Sequence, residues 1–263
     1  MRVKNKLTAI IALSFTLLNI SFSAAQASSF PDVAVDGKYS AAVSEMSELG
    51  VVTGYADGTF KPDNNITKAE LAVMTARLTP YEFFDSSAYP QLFKDVPPGH
   101  WAYAYISKAA YCGAFSTFVN TPYSDEYLGT TAVTIPNIEN DVFSPDSYAT
   151  YAEAVRAVTA LLGYNGIAEK NGGYPGGYLF TARVFGFTDG SEQHGADDPI
   201  SRAEFALLAS NALDIHQCVE GSQEQENSLI GYNNAYIKYD GYIIYADVNK
   251  NTLRDIMDTE PEK

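Results

Sequence analysis

Apolar residues recur at helical spacing in three places along the chain: Leu71, Met74 and Leu78; Val155, Val158, Leu161 and Leu162; and Phe205, Leu208 and Ala212. Residues three and four apart share one face of an α-helix, so each run predicts a helix that buries one stripe. The same signature stands ahead of all three: Ile66-Thr67-Lys68-Ala69-Glu70-Leu71, Ala149-Thr150-Tyr151-Ala152-Glu153-Ala154 and Ile200-Ser201-Arg202-Ala203-Glu204-Phe205. Each reads as a capping box. The Thr or Ser oxygen accepts from the backbone N–H three residues on, and Glu70, Glu153 or Glu204 reaches back to the N–H of the cap.

A second shared element lies upstream of two boxes, Phe30-Pro31-Asp32-Val33 and Phe93-Lys94-Asp95-Val96. Each leads into a short helix, the first with Tyr39, Val43, Met46 and Leu49 on one face and the second opened by Trp101, Tyr105 and Ile106. Gly50 and Gly113 follow, where a residue free to take positive φ ends a helix. The unit is therefore a helix, a Gly-bounded loop and a capped helix, and repeats of this kind decide an architecture before any local reading does. In the first copy the loop is Gly54-Tyr55-Ala56-Asp57-Gly58-Thr59-Phe60-Lys61-Pro62-Asp63, rich in turn formers. The second keeps Phe143-Ser144-Pro145-Asp146 but carries about twenty extra residues after Gly113, including 123–138, more than a plain connector needs. The third keeps Gly186-Phe187-Thr188-Asp189-Gly190 but replaces the opening Phe-x-Asp with Gly172-Gly173-Tyr174-Pro175-Gly176-Gly177-Tyr178.

The two ends of the chain depart from this pattern. Arg2, Lys4 and Lys6 precede an apolar run over residues 7–22, and Ala25-Gln26-Ala27 supplies small-x-small residues, which predicts a cleaved export signal over 1–27. A retained membrane anchor is the rival reading; the run is short for a span and is interrupted by Ser14, Thr16, Asn19 and Ser21. No later stretch is apolar enough to cross a bilayer. Past Leu213, residues 217–228 are polar and linker-like, and 236–248 mix Tyr and Ile as strands do. Asp247-Val248-Asn249-Lys250-Asn251 starts like a calcium loop, but Thr252 occupies the position where the sharp turn needs Gly, so a solvated turn is the better reading and no metal is expected.

With 17 basic and 32 acidic residues the formal charge is −15, and loss of the export segment, with its three cations and no acid, takes it to −18. Such a chain repels nucleic acid and has no basic stripe to override that. An anionic ligand binds only where a local Lys or Arg outweighs the field, which screening beyond about 10 Å permits. Cys112 and Cys218 form neither a disulfide framework nor metal-ligand spacing; Cys112, at the end of an apolar helix, reads as a packed thiol, with a bridge between the two as the alternative.

The combination of Phe-x-Asp-Val, the aromatic-led short helix, the Gly-bounded Asp-Gly-Thr-Phe-x-Pro-Asp loop and Ile-Thr-Lys-Ala-Glu resembles the S-layer homology repeat, over about residues 29–215. The resemblance implies a mainly α fold in which three helix-loop-helix repeats form a pseudo-threefold spindle around a central helical bundle, followed here by a short β-rich C-terminal segment. It divides the chain into an export signal (1–27), repeats at 28–88, 89–165 and 166–215, and a linker with a β-type tail at 216–263. It also implies non-covalent attachment to a secondary cell-wall polysaccharide, commonly one bearing pyruvylated amino sugars, in grooves between repeats. The protein is then secreted and sits at the wall or surface of a Gram-positive-type bacterium, without a cofactor.

A pyruvate ketal presents a carboxylate, which calls for a fixed cation, backbone N–H groups at a helix start and a flat apolar face for the sugar ring. By resemblance the cations are Lys68 and Arg202, each one residue past its cap, with Arg202 able to grip a carboxylate through two bonds. Thr67 and Ser201, the caps beside them, and Tyr151, which takes the cation's place in the second copy, complete the helix-start set. Trp101 is either a ring-stacking residue or a core aromatic joining two helices, and Tyr55 and Asp57 are loop candidates with the same two readings.

Catalysis finds little support. There is no Gly-x-Ser-x-Gly, His-Glu-x-x-His or phosphate loop, and the histidines are His100, His194 and His216 alone. A carboxylate pair of a wall-active glycoside hydrolase is the enzymatic alternative, but no spacing singles one out. Self-association in a surface layer is a third class, and it draws on the same wall-binding module.

Overall fold

Helices dominate the described residues of this computed structural model, which are 30–79, 91–111, 113–115, 117–125, 129–137, 142–218, 234–239 and 242–258. The expected export signal, Cys112 and most of the polar linker fall outside them. In chain order the elements are α1 (Ser40–Glu48), α2 (Lys68–Arg77), α3 (Tyr103–Tyr111), β1 (Thr117–Asp125), β2 (Gly129–Asn137), α4 (Tyr151–Leu161), α5 (Asn165–Lys170), α6 (Gly176–Val184), α7 (Arg202–Leu213), β3 (His216–Cys218), β4 (Asn234–Tyr239), β5 (Tyr242–Thr252) and α8 (Leu253–Asp258).

The helices at the three signatures start where their caps dictate. Thr67 and Thr150 accept from the N–H of Glu70 and Glu153 at 3.2 Å each, and those glutamates return to the cap N–H at 2.8 and 2.9 Å. The third box is only half formed, contrary to expectation: Ser201 accepts from the Glu204 N–H at 3.2 Å, while the Glu204 carboxylate is taken by other partners described below. The expected apolar stripes are buried, among them Leu71, Met74, Val155, Val158, Phe205 and Leu208. Gly50 and Gly113 follow α1 and α3 at φ 70° and 82°, conformations that a Cβ would strain.

The starts of α2, α4 and α7 meet in a closed cycle of backbone hydrogen bonds. Ile66 N–H donates to Ile200 O at 3.0 Å, Ile200 N–H to Ala149 O at 3.1 Å, and Ala149 N–H to Ile66 O at 2.9 Å. The next two amides of each helix also donate to a neighbouring segment: Lys68 and Ala69 to Ser147 and Pro145, Tyr151 and Ala152 to Asp198 and Ala196, Arg202 and Ala203 to Asn64 and Pro62. Amides that a helix ordinarily leaves without an intrahelical partner thus join the three units.

Side-chain packing repeats the cycle. Each capped helix packs on the opening helix of the following unit, α2 on α3 and α4 on α6, and α7 closes the circuit on α1. One hydrophobic cluster runs through all of them. The Phe-x-Asp-Val element acts as a clamp: the Asp32 carboxylate accepts the N–H groups of Phe60 and Lys61 at 2.8 and 2.7 Å, and Asp95 those of Phe143 and Ser144 at the same distances. Phe30 and Phe60 stack at 5.2 Å and Phe93 and Phe143 at 4.9 Å. The clamped Lys61 and Ser144 both hold positive φ.

The insertion of the second unit is an antiparallel pair, β1 with β2, in unbroken register from Thr117↔Asn137 to Asp125↔Gly129. Near the C-terminus β3, β5 and β4 pair in that order, and the chain then returns to the helices. Leu253 of α8 is buried at 1% exposure, and Arg254 binds Asp214 at 2.6 Å and Glu45 of α1 at 2.8 Å.

Candidate functional site

The cyclic arrangement places the same three kinds of side chain together three times. Each junction combines the first residue of one capped helix, the capping glutamate of another and an aromatic from the approach to a third unit's opening helix. At two junctions a groove opens, and at the third the equivalent side chains bond one another.

The first open groove, about 240 Å³, joins Arg202 to Glu70 and Arg77 of α2 and to Trp101, with Thr53 and Tyr55 on the loop wall. Trp101 is 63% exposed, so it is not the core aromatic of the alternative reading. Arg202 is only 7% exposed and already committed: Nε donates to Phe60 O at 2.8 Å and Nη2 to Thr53 O at 2.7 Å, with the Tyr55 and Phe60 rings 4.7 Å from the guanidinium. Tyr55 lies between that cation and Lys61, whose ammonium is 4.2 Å from the ring centroid. Asp57 stays in its own loop, accepting from Thr59 N–H at 3.0 Å and Thr59 Oγ1 at 2.6 Å. These bonds, with Lys61 nearby, hold its pKa down to about 2.

The second open groove, about 220 Å³, joins Lys68 to Glu153 and Arg156 of α4 and to Tyr174, with Phe115 and Phe143 on the loop wall. Lys68 Nζ lies 2.5 Å from Glu153 Oε1, both side chains about one quarter exposed. Arg156 lies against two rings, its guanidinium carbon 5.3 Å from Tyr174 and 5.6 Å from Tyr178. Tyr174 is 45% exposed and faces the groove as Trp101 does in the other.

The third junction carries Tyr151 in place of a cation, and its hydroxyls and carboxylate bond one another, while the buried His194 Nε2 makes no hydrogen bond. Glu204, 2% exposed, accepts from Tyr39 Oη, from Ser191 Oγ and from Glu192 N–H at 3.0 Å, with His194 Nε2 3.3 Å away. Burial pushes its pKa up, but the bonds from Ser191, Tyr39 and the Glu192 amide outweigh that and leave it below the ordinary value. Tyr151 shares a hydrogen bond with Ser191 at 3.2 Å and stacks on His194 at 4.7 Å. This network explains why Glu204 does not complete its capping box.

The structure thus brings Arg202, Trp101 and Tyr55 to one groove and Lys68 to the other, and puts Tyr151 in the filled junction. The Thr67 and Ser201 hydroxyls serve as caps. The helix-start amides expected to meet a carboxylate are taken, the first two by a neighbouring segment and the third by the cap. Sequence reasoning missed Arg77, Arg156 and Tyr174. Arg156 and Arg77 had a readable signal, since three and seven residues after the capping glutamate lie on the same helix face one and two turns on; Tyr174 had none. Among the described residues no cluster of His, Cys, Asp and Glu is arranged to hold a metal ion, and no helix is long and apolar enough to cross a membrane.

Residues 29–72 match the model of the S-layer homology domain. Over 220 residues, 82% of the chain, it is 28% identical to a cell surface protein of Thermoanaerobacter kivui, of which that covers 25%. It is 27% identical over 58% of its length to a middle cell wall protein of Brevibacillus brevis, 13% of that protein. A cellulosome-anchoring protein of Acetivibrio thermocellus is 37% identical over 71 residues, 25% of this chain and 15% of the relative. The chain spans about a quarter or less of the length of these relatives.

Proposed function

From an S-layer homology domain at residues 29–72, we propose that this chain is a non-catalytic anchoring module, built of three such repeats arranged as a pseudo-threefold spindle, that holds a secreted protein to the cell wall. The surface and wall proteins among its relatives support that location, and the cellulosome-anchoring relative supports the role. The ligand is a secondary cell-wall polysaccharide, pyruvylated in the form that the resemblance implies. It enters the two open grooves between repeats, and the third junction, already filled by Tyr39, Glu204, Ser191 and His194, takes none.

One observation carries this reading: two junctions of different sequence converge on an exposed ring, two cations and a capping carboxylate. A flat ring face stacks on the apolar side of a sugar while the charges orient its polar groups. Each groove is smaller than the roughly 300–1,000 Å³ of a drug-sized pocket, which suits one or two sugar units. Trp101 and Tyr174 are the platforms; Arg202, Tyr55 and Lys68 shape the walls, and Asp57, Thr67 and Ser201 hold the loop and helix ends that carry them.

Co-sedimentation of the chain with purified wall sacculi tests this, before and after chemical stripping of the secondary polymer, beside a Trp101→Ala, Tyr174→Ala variant. Binding that disappears on stripping and in the variant is expected. Binding indifferent to both would sink the groove mechanism and point to peptidoglycan or a protein partner. A surface-layer role, suggested by the 28% identity over 154 residues to a surface layer protein of Brevibacillus choshinensis, would show as self-association of the chain without sacculi in sedimentation velocity.

A further inference from the structure

We infer that the anion of the sugar is read by Arg156 in one groove and by Arg77 in the other, rather than by the first-turn cations Lys68 and Arg202; the inference rests on the groove reading above. The argument is one of unspent charge. Lys68 is neutralised by Glu153 at 2.5 Å. Arg202 is buried, and its Nε and Nη2 already serve two loop carbonyls. The helix-start amides beside both cations are spent on a neighbouring segment.

Arg156 and Arg77 are different. Both line the grooves, neither lies within ion-pair distance of a carboxylate among the described residues, and Arg156 Nε is buried with no hydrogen-bond partner. Their contacts are with tyrosines and not with acids: Tyr174 and Tyr178 for Arg156, which also acts on the Tyr178 hydroxyl through a side-chain hydrogen bond, and Tyr105 at 6.0 Å for Arg77. A guanidinium lying on a ring keeps its edge N–H groups for an incoming carboxylate, and that edge matches a carboxylate through two parallel bonds. Each also shares its groove with the exposed ring proposed to stack on the sugar, so charge and platform are adjacent.

The two arginines are not equivalent in the repeat. Arg156 is three residues after its capping glutamate, in the middle of α4, and Arg77 seven after, at the C-terminal end of α2. Both nevertheless reach the wall that faces the aromatic. The ligand class that fits is a sugar unit carrying one carboxylate, such as a pyruvate ketal, bound once per groove.

Titration calorimetry of the whole chain with a methyl glucoside bearing a 4,6-pyruvate ketal tests the assignment, with the unketalised glucoside and inorganic phosphate as further arms. The wild type is expected to bind two ketal sugars, and Arg156→Gln and Arg77→Gln one each at the same affinity. The lost site weakens about tenfold or more, as for removal of a charge-assisted bond. Arg156→Lys recovers part of the loss, and Lys68→Gln weakens its site less than Arg156→Gln does. A Lys68→Gln chain that loses a site while Arg156→Gln keeps both overturns the inference, as does equal binding of the unketalised sugar or preferential binding of phosphate. If the Arg77→Gln, Arg156→Gln double variant still pellets with sacculi as the wild type does, the inference fails and the anchoring reading stands; a wild type that does not pellet sinks the anchoring reading itself.

Discussion

Arg202 illustrates how a single position changes meaning once its surroundings are known. In sequence it is a cation one residue past a cap, slightly misplaced at a positive helix end and therefore suspected of binding a ligand. In the fold it ties the start of α7 to the loop of the first unit through Phe60 O and Thr53 O. Arg202→Ala would leave the buried Phe60 carbonyl and the part-buried Thr53 carbonyl without a donor and two rings without their cation, so it is expected to lower stability by about 3 kcal/mol, read as a fall in the urea midpoint. Lys68, whose partner remains partly exposed, should cost less than about 1 kcal/mol when replaced by Met. Unfolding curves of the two variants side by side check that order.

At the scale of elements, the capped helices show the same local rule meeting different neighbours. Thr67 and Thr150 close full boxes, whereas Ser201 closes half of one because Tyr39 and Ser191 hold Glu204. Thr150→Ala removes a cap from α4 and should cost about 1 kcal/mol. Glu204→Gln is expected to cost more than Glu153→Gln, since it replaces a buried carboxylate accepting from three groups instead of a partly exposed one serving its own cap and Lys68. Thermal melts of the three variants decide it. The aspartate clamps belong to this scale too, since Asp32 and Asp95 fix the positive-φ turns that lead toward each box.

For the whole molecule, the closed cycle means that no unit finishes its own packing: the helix-start amides and the contact of α7 with α1 cross between units, while the aspartate clamps fasten each loop within its own. Cooperative loss of stability in acid is the expected consequence. Asp32 is held below its ordinary value chiefly by the Phe60 N–H, and Asp95 by the Phe143 and Ser144 amides against the effect of burial; Glu204 is lowered as described. A carboxylate whose pKa is depressed by folding contributes stability that is fully present above its unfolded value, about 4, and is lost as pH falls through the folded value. The urea midpoint should therefore be nearly flat from pH 7 to 5 and drop below about pH 4, with a shallower drop in Asp95→Asn. A midpoint rising on acidification would contradict these assignments.

Much of the molecule was legible in one dimension because its signals are local. Capping boxes, helical stripes and Gly after a helix act within a few residues, so the three capped helices and the short helices ahead of the first two could be read without knowing what they touch, whereas α6, which opens on Gly176-Gly177, carried no such signal. The sequence also pointed to the junctions through Lys68, Arg202 and Tyr151, because repeat equivalence shows where a cation is replaced. What only the tertiary structure decided is which charges are spent. Arg202 is consumed by carbonyls 142 and 149 residues away, Glu204 by Tyr39 at a separation of 165, and Arg77 and Arg156 line the grooves with no carboxylate at ion-pair distance among the described residues, at positions unrelated within the repeat. A hydrogen bond depends on a few ångströms of separation and not on distance along the chain, so the balance of charge in a groove exists only after the cycle has closed.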